Sequence, residues 1–199
     1  MLNMINFIIL VIAGILMSIL YVISVSPQKM EKRWGDKAYK RCGAIRAWSM
    51  VFLFIVVINY VIYTFYPLNI GLINRFPWPY WVSLISAVIL LVPSIYLMGV
   101  GMKDAGEEAV RPDKSHTMYG GIYEKIRHPQ AFGELILWFA IAIACHSIHL
   151  TILSLIWIPV WIWWCVVEEN DLILRYGDPY KEYQKRTGMF LPRKSKRSR

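Results

Sequence analysis

Charged side chains are scarce in this sequence, and the places where they are missing are informative. Asp, Glu, Lys and Arg make up 18% of the 199 residues, against about 25% in soluble domains. None of these four residue types occurs between Met1 and Gln28. A membrane-spanning helix needs about 20 consecutive apolar residues, and this stretch is longer than that. The pattern excludes an ordinary soluble domain and predicts an integral membrane protein.

Cysteine is rare as well. Cys42, Cys145 and Cys165 are odd in number and form no CxxC pair, so the sequence predicts neither a disulfide framework nor a zinc site. We predict no metal site of any other kind. The first apolar stretch lacks a preceding basic region and a small-residue cleavage pattern, so we do not expect a removable signal peptide.

Long apolar runs divide the chain into alternating spanning and polar segments. Residues of the apolar and aromatic types make up 57% of the sequence. We therefore predict a single all-α membrane domain with five transmembrane helices, of which the last two form a C-terminal helical hairpin. The predicted spans are 4–25, 47–66, 80–102, 130–145 and 148–167. Short helices are expected in the polar segments 103–129 and 168–193.

The basic residues decide the predicted orientation. The net charge is +9, and every Lys and Arg except Arg75 falls in segments 26–46, 103–128 and 168–199. A layout with five spans places these segments on one side, which the positive-inside rule makes cytoplasmic. The N-terminus is then outside and the C-terminus cytoplasmic. Charges arranged between apolar runs, with a basic tail at 194–199, fit an anionic membrane surface rather than nucleic acid.

Three motifs lie in the predicted cytoplasmic segments. The first is GIYEKIRHPQAFGE, from Gly121 to Glu134. The second is the acidic pair Glu168-Glu169, just past the last span. The third is YGDPYKEYQ, which begins at Tyr176 and is followed by RTG and FLP. Their order around a helical hairpin is more specific than any one motif alone.

This combination resembles the isoprenylcysteine carboxyl methyltransferases and their phospholipid-methylating relatives. Those families share a GIY…RHPxYxG stretch, a later EE pair and a YxxY…RTxxFxP run, and the resemblance covers about Met118 to Arg193. It implies S-adenosylmethionine as cofactor, S-adenosylhomocysteine as product, and a lipophilic or lipid-borne methyl acceptor. Where the families have Tyr two residues after the motif proline, this chain has Ala131. The resemblance places these residues at or near the cofactor: Tyr123, Arg127, His128, Pro129, Ala131, Glu168, Glu169 and Leu172.

The catalytic candidates are His128, Arg186 and Glu169. A carboxylate acceptor needs no base, whereas an amine or thiol must lose a proton, which His128 or a glutamate could accept. Arg186 or Arg193 could hold an anionic acceptor by a bidentate contact. Glu134, one turn inside the fourth span, is a further candidate for binding the acceptor, because carboxylates within a bilayer are costly and are usually functional.

The aromatic residues near these motifs also have a purely structural interpretation. A short helix is predicted from Pro179 to Thr187, and Tyr176, Tyr180 and Tyr183 share one of its faces. We expect these tyrosines to pack against the membrane surface. The tryptophans of the last span are expected to face lipid or to pack against other helices; they are Trp157, Trp161, Trp163 and Trp164.

Two other functions remain open. Membrane sterol reductases have a similar C-terminal stretch and resemble this chain at Phe132-Gly133-Glu134, and the basic residues could hold the 2′-phosphate of NADPH. The acidic pair at 168–169 suits a phosphate-rich cofactor poorly. Ala131 is the residue that points to a non-catalytic scaffold. The acceptor itself is open among a prenylated cysteine carboxylate, a phospholipid amine, a small thiol and an isoprenoid acid.

Overall fold

The computed structural model describes residues 1–115 and 120–193, so the predicted basic tail at 194–199 lies outside the described residues. Within the described residues the protein is helical, with no strand and only two isolated β-bridges, which confirms the predicted fold class. The α-helices are α1 (Leu2–Ser24), α2 (Pro27–Trp34), α3 (Ala38–Phe65), α4 (Tyr80–Ala105), α5 (Pro129–Ala144), α6 (Ile148–Tyr176) and α7 (Asp178–Arg186). Short 3-10 helices occupy Gly35–Lys37, Gly106–Ala109 and Gly121–Glu124.

The helices overlap the predicted spans but extend further where their ends are polar. α3 begins at Ala38 rather than Ala47, and α6 ends at Tyr176 rather than Val167. The 29 residues of α6 reach about 44 Å, compared with about 30 Å of hydrocarbon, so its polar end projects beyond the membrane core. Helix α5 has 16 residues and reaches only about 24 Å. Four helices are each long and apolar enough to cross a membrane, and they are α1, α3, α4 and α6.

Helix packing places α6 in the middle of the bundle. α1 packs on α3, α4 packs on α5, and α6 contacts both α1 and α5. The helices therefore follow the spatial order α3–α1–α6–α5–α4. α4 and α5 approach closely at Gly133, where an added Cβ would lie 2.8 Å from the Ser94 carbonyl oxygen. The Ser94 hydroxyl donates a hydrogen bond to the Gly133 carbonyl at 2.8 Å, which fixes this contact.

The turn between α5 and α6 closes one end of the bundle. The backbone N–H of Ile148 donates to the Asn74 carbonyl at 2.7 Å, and the Ser147 hydroxyl lies 2.7 Å from the Asn74 side chain. The ring of His146 lies 2.7 Å from the Ser83 hydroxyl. This turn and the α3–α4 loop are thus at the same end. The opposite end carries α2, α7 and the described part of segment 106–128; we call it the motif end. α5 therefore runs the length of the bundle despite being short.

Buried polar contacts hold the motif end together. The Asp171 carboxylate on α6 caps the start of α2 by accepting from the backbone N–H groups of Gln28 and Lys29, at 3.1 and 2.8 Å. Glu108 and Arg175 form a buried ion pair of 2.7 Å. Since these contacts join segments far apart in the sequence, they give the region around the three motifs a fixed shape.

Candidate functional site

The first and third motifs are joined through their backbones. The N–H groups of Arg127 and His128 donate to the carbonyls of Gly188 and Met189, at 2.9 and 3.0 Å. Gly188 is required here, because a Cβ at this position would lie 1.8 Å from the Leu191 carbonyl oxygen. The chain after α7 therefore folds back against the start of α5, and His128 lies directly before that helix.

A buried ion network then joins both of these motifs to the acidic pair. One oxygen of Glu169 lies 2.6 Å from Arg127 Nε and 3.0 Å from His128 Nε2. Its other oxygen accepts from the Gln184 side chain at 2.7 Å. The Arg127 guanidinium also donates to the carbonyls of Gln184 and Thr187. Both Glu169 oxygens are thus engaged within the protein, so this carboxylate holds the motifs together.

Glu168 has a different environment from its neighbour. Its side chain is 29% exposed, and its closest charged contact is His128 Nδ1 at 3.6 Å. It also lines a cavity at the motif end, whereas Glu169 does not. The two residues of the acidic pair therefore differ. Both oxygens of Glu169 are bound within the protein, whereas Glu168 faces the cavity, where a ligand could reach it.

The cavity at the motif end brings together most of the predicted site. Segments distant in sequence contribute to its wall, because α5, α6, α7 and the Gly121–Glu124 helix meet there. The predicted residues that line it are Tyr123, Arg127, His128, Ala131, Glu134, Glu168 and Leu172. Pro129 is fully buried in the first turn of α5 and does not line it.

The two predicted acceptor-binding arginines of the C-terminal segment lie elsewhere. Arg186 is exposed, and its guanidinium lies over the Tyr183 ring, 6.0 Å from the ring centre. Arg193 is also exposed and donates to the Lys185 carbonyl. Neither of them lines the cavity.

Glu134 lies in the cavity wall without a hydrogen-bonding or charged partner in the described part of the chain. It lies in α5 one turn beyond Pro129, and its carboxyl group makes no hydrogen bond or ion pair with any residue in the described part of the chain. The Glu168 carboxylate lies within electrostatic reach of it. A carboxyl group inside a helical bundle without a protein partner is costly, which indicates that it serves a ligand.

Sequence reasoning missed part of the cavity wall. Tyr180 and Tyr183 are buried in it, rather than packed on the membrane surface, because α7 folds back over the motif end. Burial raises the pKa of Tyr183 to about 12, and that of Tyr180 further, so both phenols stay protonated. The other polar and aromatic lining residues that were not predicted are Tyr21, Arg46, Ser49, Glu108, Gln130, Trp161 and Trp164.

The fold defines a helical membrane protein, and at one end of its bundle lies a cavity lined by charged, aromatic and aliphatic residues. The model of the family described as phospholipid methyltransferase matches residues 82–179, from the start of α4 to the start of α7. The match covers just under half of the chain and confirms the resemblance to the membrane methyltransferases that the motifs carry. No curated protein and no solved structure matches the chain.

The buried His128 should make the stability of the protein depend on pH. Burial by itself lowers the pKa of this imidazole, but its contacts with Cys165 and Glu169 outweigh burial and raise the pKa from 6.5 to about 10. The folded state then holds the proton more tightly than the unfolded state does. This contribution to stability is complete below pH 6.5 and is lost as the pH rises towards 10.

Thermal unfolding of the purified protein across this pH range measures the effect. The melting temperature of the wild type should fall between pH 6.5 and 10. In His128→Gln the fall should be smaller, because the contribution of the imidazole proton is absent. Parallel profiles for the two proteins would show that His128 does not carry the proton.

Proposed function

We propose that this protein transfers a methyl group from S-adenosylmethionine to an acceptor carried by a membrane lipid. The observation that carries the proposal is that residues distant in the sequence line one cavity; they are Tyr123, Arg127, His128, Ala131, Glu168 and Leu172. The carboxyl group of Glu134, which has no partner among the described residues, faces the same space. The family match supports methyl transfer and a lipid substrate.

The chemistry of the cavity wall fits this cofactor. The Glu168 carboxylate can accept hydrogen bonds from ribose hydroxyls or from the cofactor ammonium group. The N–H groups of Gln130 and Ala131, in the first turn of α5, have no acceptor within the helix and suit the cofactor carboxylate. The rings of Tyr180 and Trp164 offer aromatic surface for the adenine base.

When bound, S-adenosylmethionine supplies an electrophilic methyl group on a positively charged sulfur. The protein contributes mainly by holding donor and acceptor in line, since positioning alone can supply much of the rate of such a displacement. Arg127 and Glu169 keep the wall rigid through their buried ion pair. Ala131, which replaces the tyrosine of the related families, leaves open space in the wall at the start of α5.

Two acidic residues of the cavity wall, Glu134 and Glu168, favour an amine as the acceptor, since neither is paired with an arginine of the described chain. Glu134 and Glu168 would attract a lipid ammonium group into the bundle and repel a carboxylate. The ammonium must lose a proton before its nitrogen can attack, and the Glu134 carboxylate is placed to accept it. His128 is less suited to that role, because its raised pKa keeps it protonated. The N–C bond then forms as the C–S bond breaks.

The site also agrees with the orientation that the basic segments predict. A soluble nucleoside cofactor has to reach the motif end from an aqueous compartment, and the positive-inside rule makes that compartment the cytoplasm. The N-terminus, at the opposite end of the bundle, would then face the outside.

Calorimetry with S-adenosylhomocysteine tests the proposed cofactor directly. We expect saturable binding of one product molecule to the purified wild type, unaffected by an excess of NADPH. The absence of binding at millimolar ligand would contradict the proposal. Displacement of bound S-adenosylhomocysteine by NADPH, but not by NADH, would instead support the reductase function, because only NADPH carries the 2′-phosphate.

A further inference from the structure

The cavity opens sideways between α3 and α4. α3 packs on α1 and α4 packs on α5, and these two fully described helices scarcely touch each other. Met50 on α3 and Met102 on α4 both line the cavity and are nevertheless 40% and 52% exposed. Val110, just beyond α4, also lines the cavity and is also exposed. Side chains that face the cavity and the outside together mark an opening, and these three are apolar.

Arg46 lies in the wall of this opening, one turn before Met50 on α3. Its Nη1 donates to the carbonyls of Glu108 and Ala109, at 3.0 and 3.3 Å, and its Nη2 donates to the Ser24 carbonyl at 3.5 Å. Its Nε is buried and has no hydrogen-bond partner among the described residues. These contacts fix the guanidinium in place without neutralising its charge.

The two other arginines at the motif end that are not exposed are neutralised by the protein. Arg127 is paired with Glu169, and Arg175 with Glu108, both through buried carboxylates. Arg46 forms no ion pair with a carboxylate anywhere in residues 1–115 and 120–193. A partly buried cation without a counter-ion is costly, so an anion at this position would stabilise it.

Charges of both signs face the same small space. The Tyr21 phenol lies within electrostatic reach of the Arg46 guanidinium and of the carboxyl groups of Glu134 and Glu168. Glu134 is in the interior of the bundle, whereas Arg46 belongs to the wall of the opening. A headgroup with an amine at one end and an anionic phosphate nearer its acyl chains matches this arrangement.

We infer that Arg46 binds the phosphate of the lipid acceptor, and that the lipid reaches the cavity through the gap between α3 and α4. This inference rests on the proposed function and adds to it the access route and the residue that recognises the headgroup. Arg46 lies outside residues 82–179, so the family match does not extend to it. The acyl chains would remain between α3 and α4, in contact with the bilayer.

Binding of two amphiphiles in detergent tests the role of Arg46. The first is dihexanoyl phosphatidylethanolamine, and the second is decylamine, which has an amine but no phosphate. Arg46→Gln should weaken binding of the first by about tenfold or more, because a charge-assisted hydrogen bond is lost, and should leave binding of decylamine and S-adenosylhomocysteine unchanged. Arg41→Gln is the matched control, since it removes an exposed cation from the same helix.

Three results would overturn the inference. The first is that Arg46→Gln binds the phosphate probe as well as the wild type does. The second is that the variant binds both amphiphiles equally less tightly. The third is that the variant no longer binds S-adenosylhomocysteine, which would assign Arg46 to the cofactor or to folding. The proposed function fails separately, if the wild type does not bind S-adenosylhomocysteine. In that case the phosphate probe still reports on Arg46.

A second pair of variants tests the access route, and this test is valid whether or not the Arg46→Gln variant folds. Met50→Trp should narrow the opening and slow binding of the phosphate probe, without changing the affinity for S-adenosylhomocysteine. Phe54→Trp adds a similar ring to an exposed α3 position that does not line the cavity, and should bind the probe at the wild-type rate. Equal rates for the two variants would exclude this route.

Discussion

Replacing Arg127 with leucine is expected to destabilise the folded protein by about 3 kcal/mol or more, the usual cost of removing one partner from a buried ion pair. The change leaves Glu169 buried with only His128 and Gln184 as partners. It also removes the donors to the carbonyls of Gln184 and Thr187. Because this guanidinium ties α6 to α7, the C-terminal segment should detach before the rest of the bundle unfolds.

Denaturant unfolding combined with limited trypsin digestion measures both effects of Arg127→Leu. Cleavage after the lysines of α7 should become faster in this variant than in the wild type. Lys185→Leu is the control, because its ion pair with Glu182 is exposed, with side chains 71% and 69% accessible. Exposed pairs contribute about 0–1 kcal/mol. Similar losses of stability in the two variants would show that the buried network does not hold the site together.

Replacing Glu134 with glutamine is expected to reduce methyl transfer to phosphatidylethanolamine by roughly a hundredfold or more, the typical contribution of a general base. The amide has nearly the same shape as the carboxyl group, but it cannot accept the ammonium proton. The affinity for S-adenosylhomocysteine should change little, since Glu168 supplies the carboxylate proposed for the cofactor.

Incorporation of labelled methyl groups into lipid measures the effect of Glu134→Gln. Glu124→Gln makes the same chemical change at an exposed position of the same motif, and should keep wild-type activity. Full activity in Glu134→Gln would mean that this carboxyl group takes no proton. The acceptor would then be one that needs no base there, such as a carboxylate.

The sequence predicts the helical membrane class for physical reasons, and most of the residues that the resemblance proposes for the cofactor line the cavity. Long uncharged runs have few alternatives to spanning a membrane, and the bundle must place the motifs flanking α5 and α6 at one end if the helices run antiparallel. The sequence also predicts a carboxyl group inside the bundle at Glu134. It does not distinguish Glu168 from Glu169, because adjacent residues of a helix point about 100° apart and the packing decides which one faces the cavity.

The residues missed by sequence reasoning depend on tertiary contacts. Arg46 is one of many basic residues in segment 26–46, and only the folded protein shows that it lines a cavity without an ion-pair partner in the described part of the chain. Tyr180 and Tyr183 share a face of α7, as predicted, but that face turns towards the cavity because the backbone after α7 pairs with residues 126–128. For the same reason Arg186 and Arg193, which were plausible from charge alone, are left at the surface.

Ultraviolet crosslinking of methyl-labelled S-adenosylmethionine to the purified protein, followed by peptide mapping, tests the cofactor site most directly. The proposed pocket predicts label in peptides that contain residues 123–131 or 161–172, and predicts that an excess of S-adenosylhomocysteine removes it. Label confined to other parts of the chain, or label that S-adenosylhomocysteine does not displace, would contradict a cofactor site at the motif end.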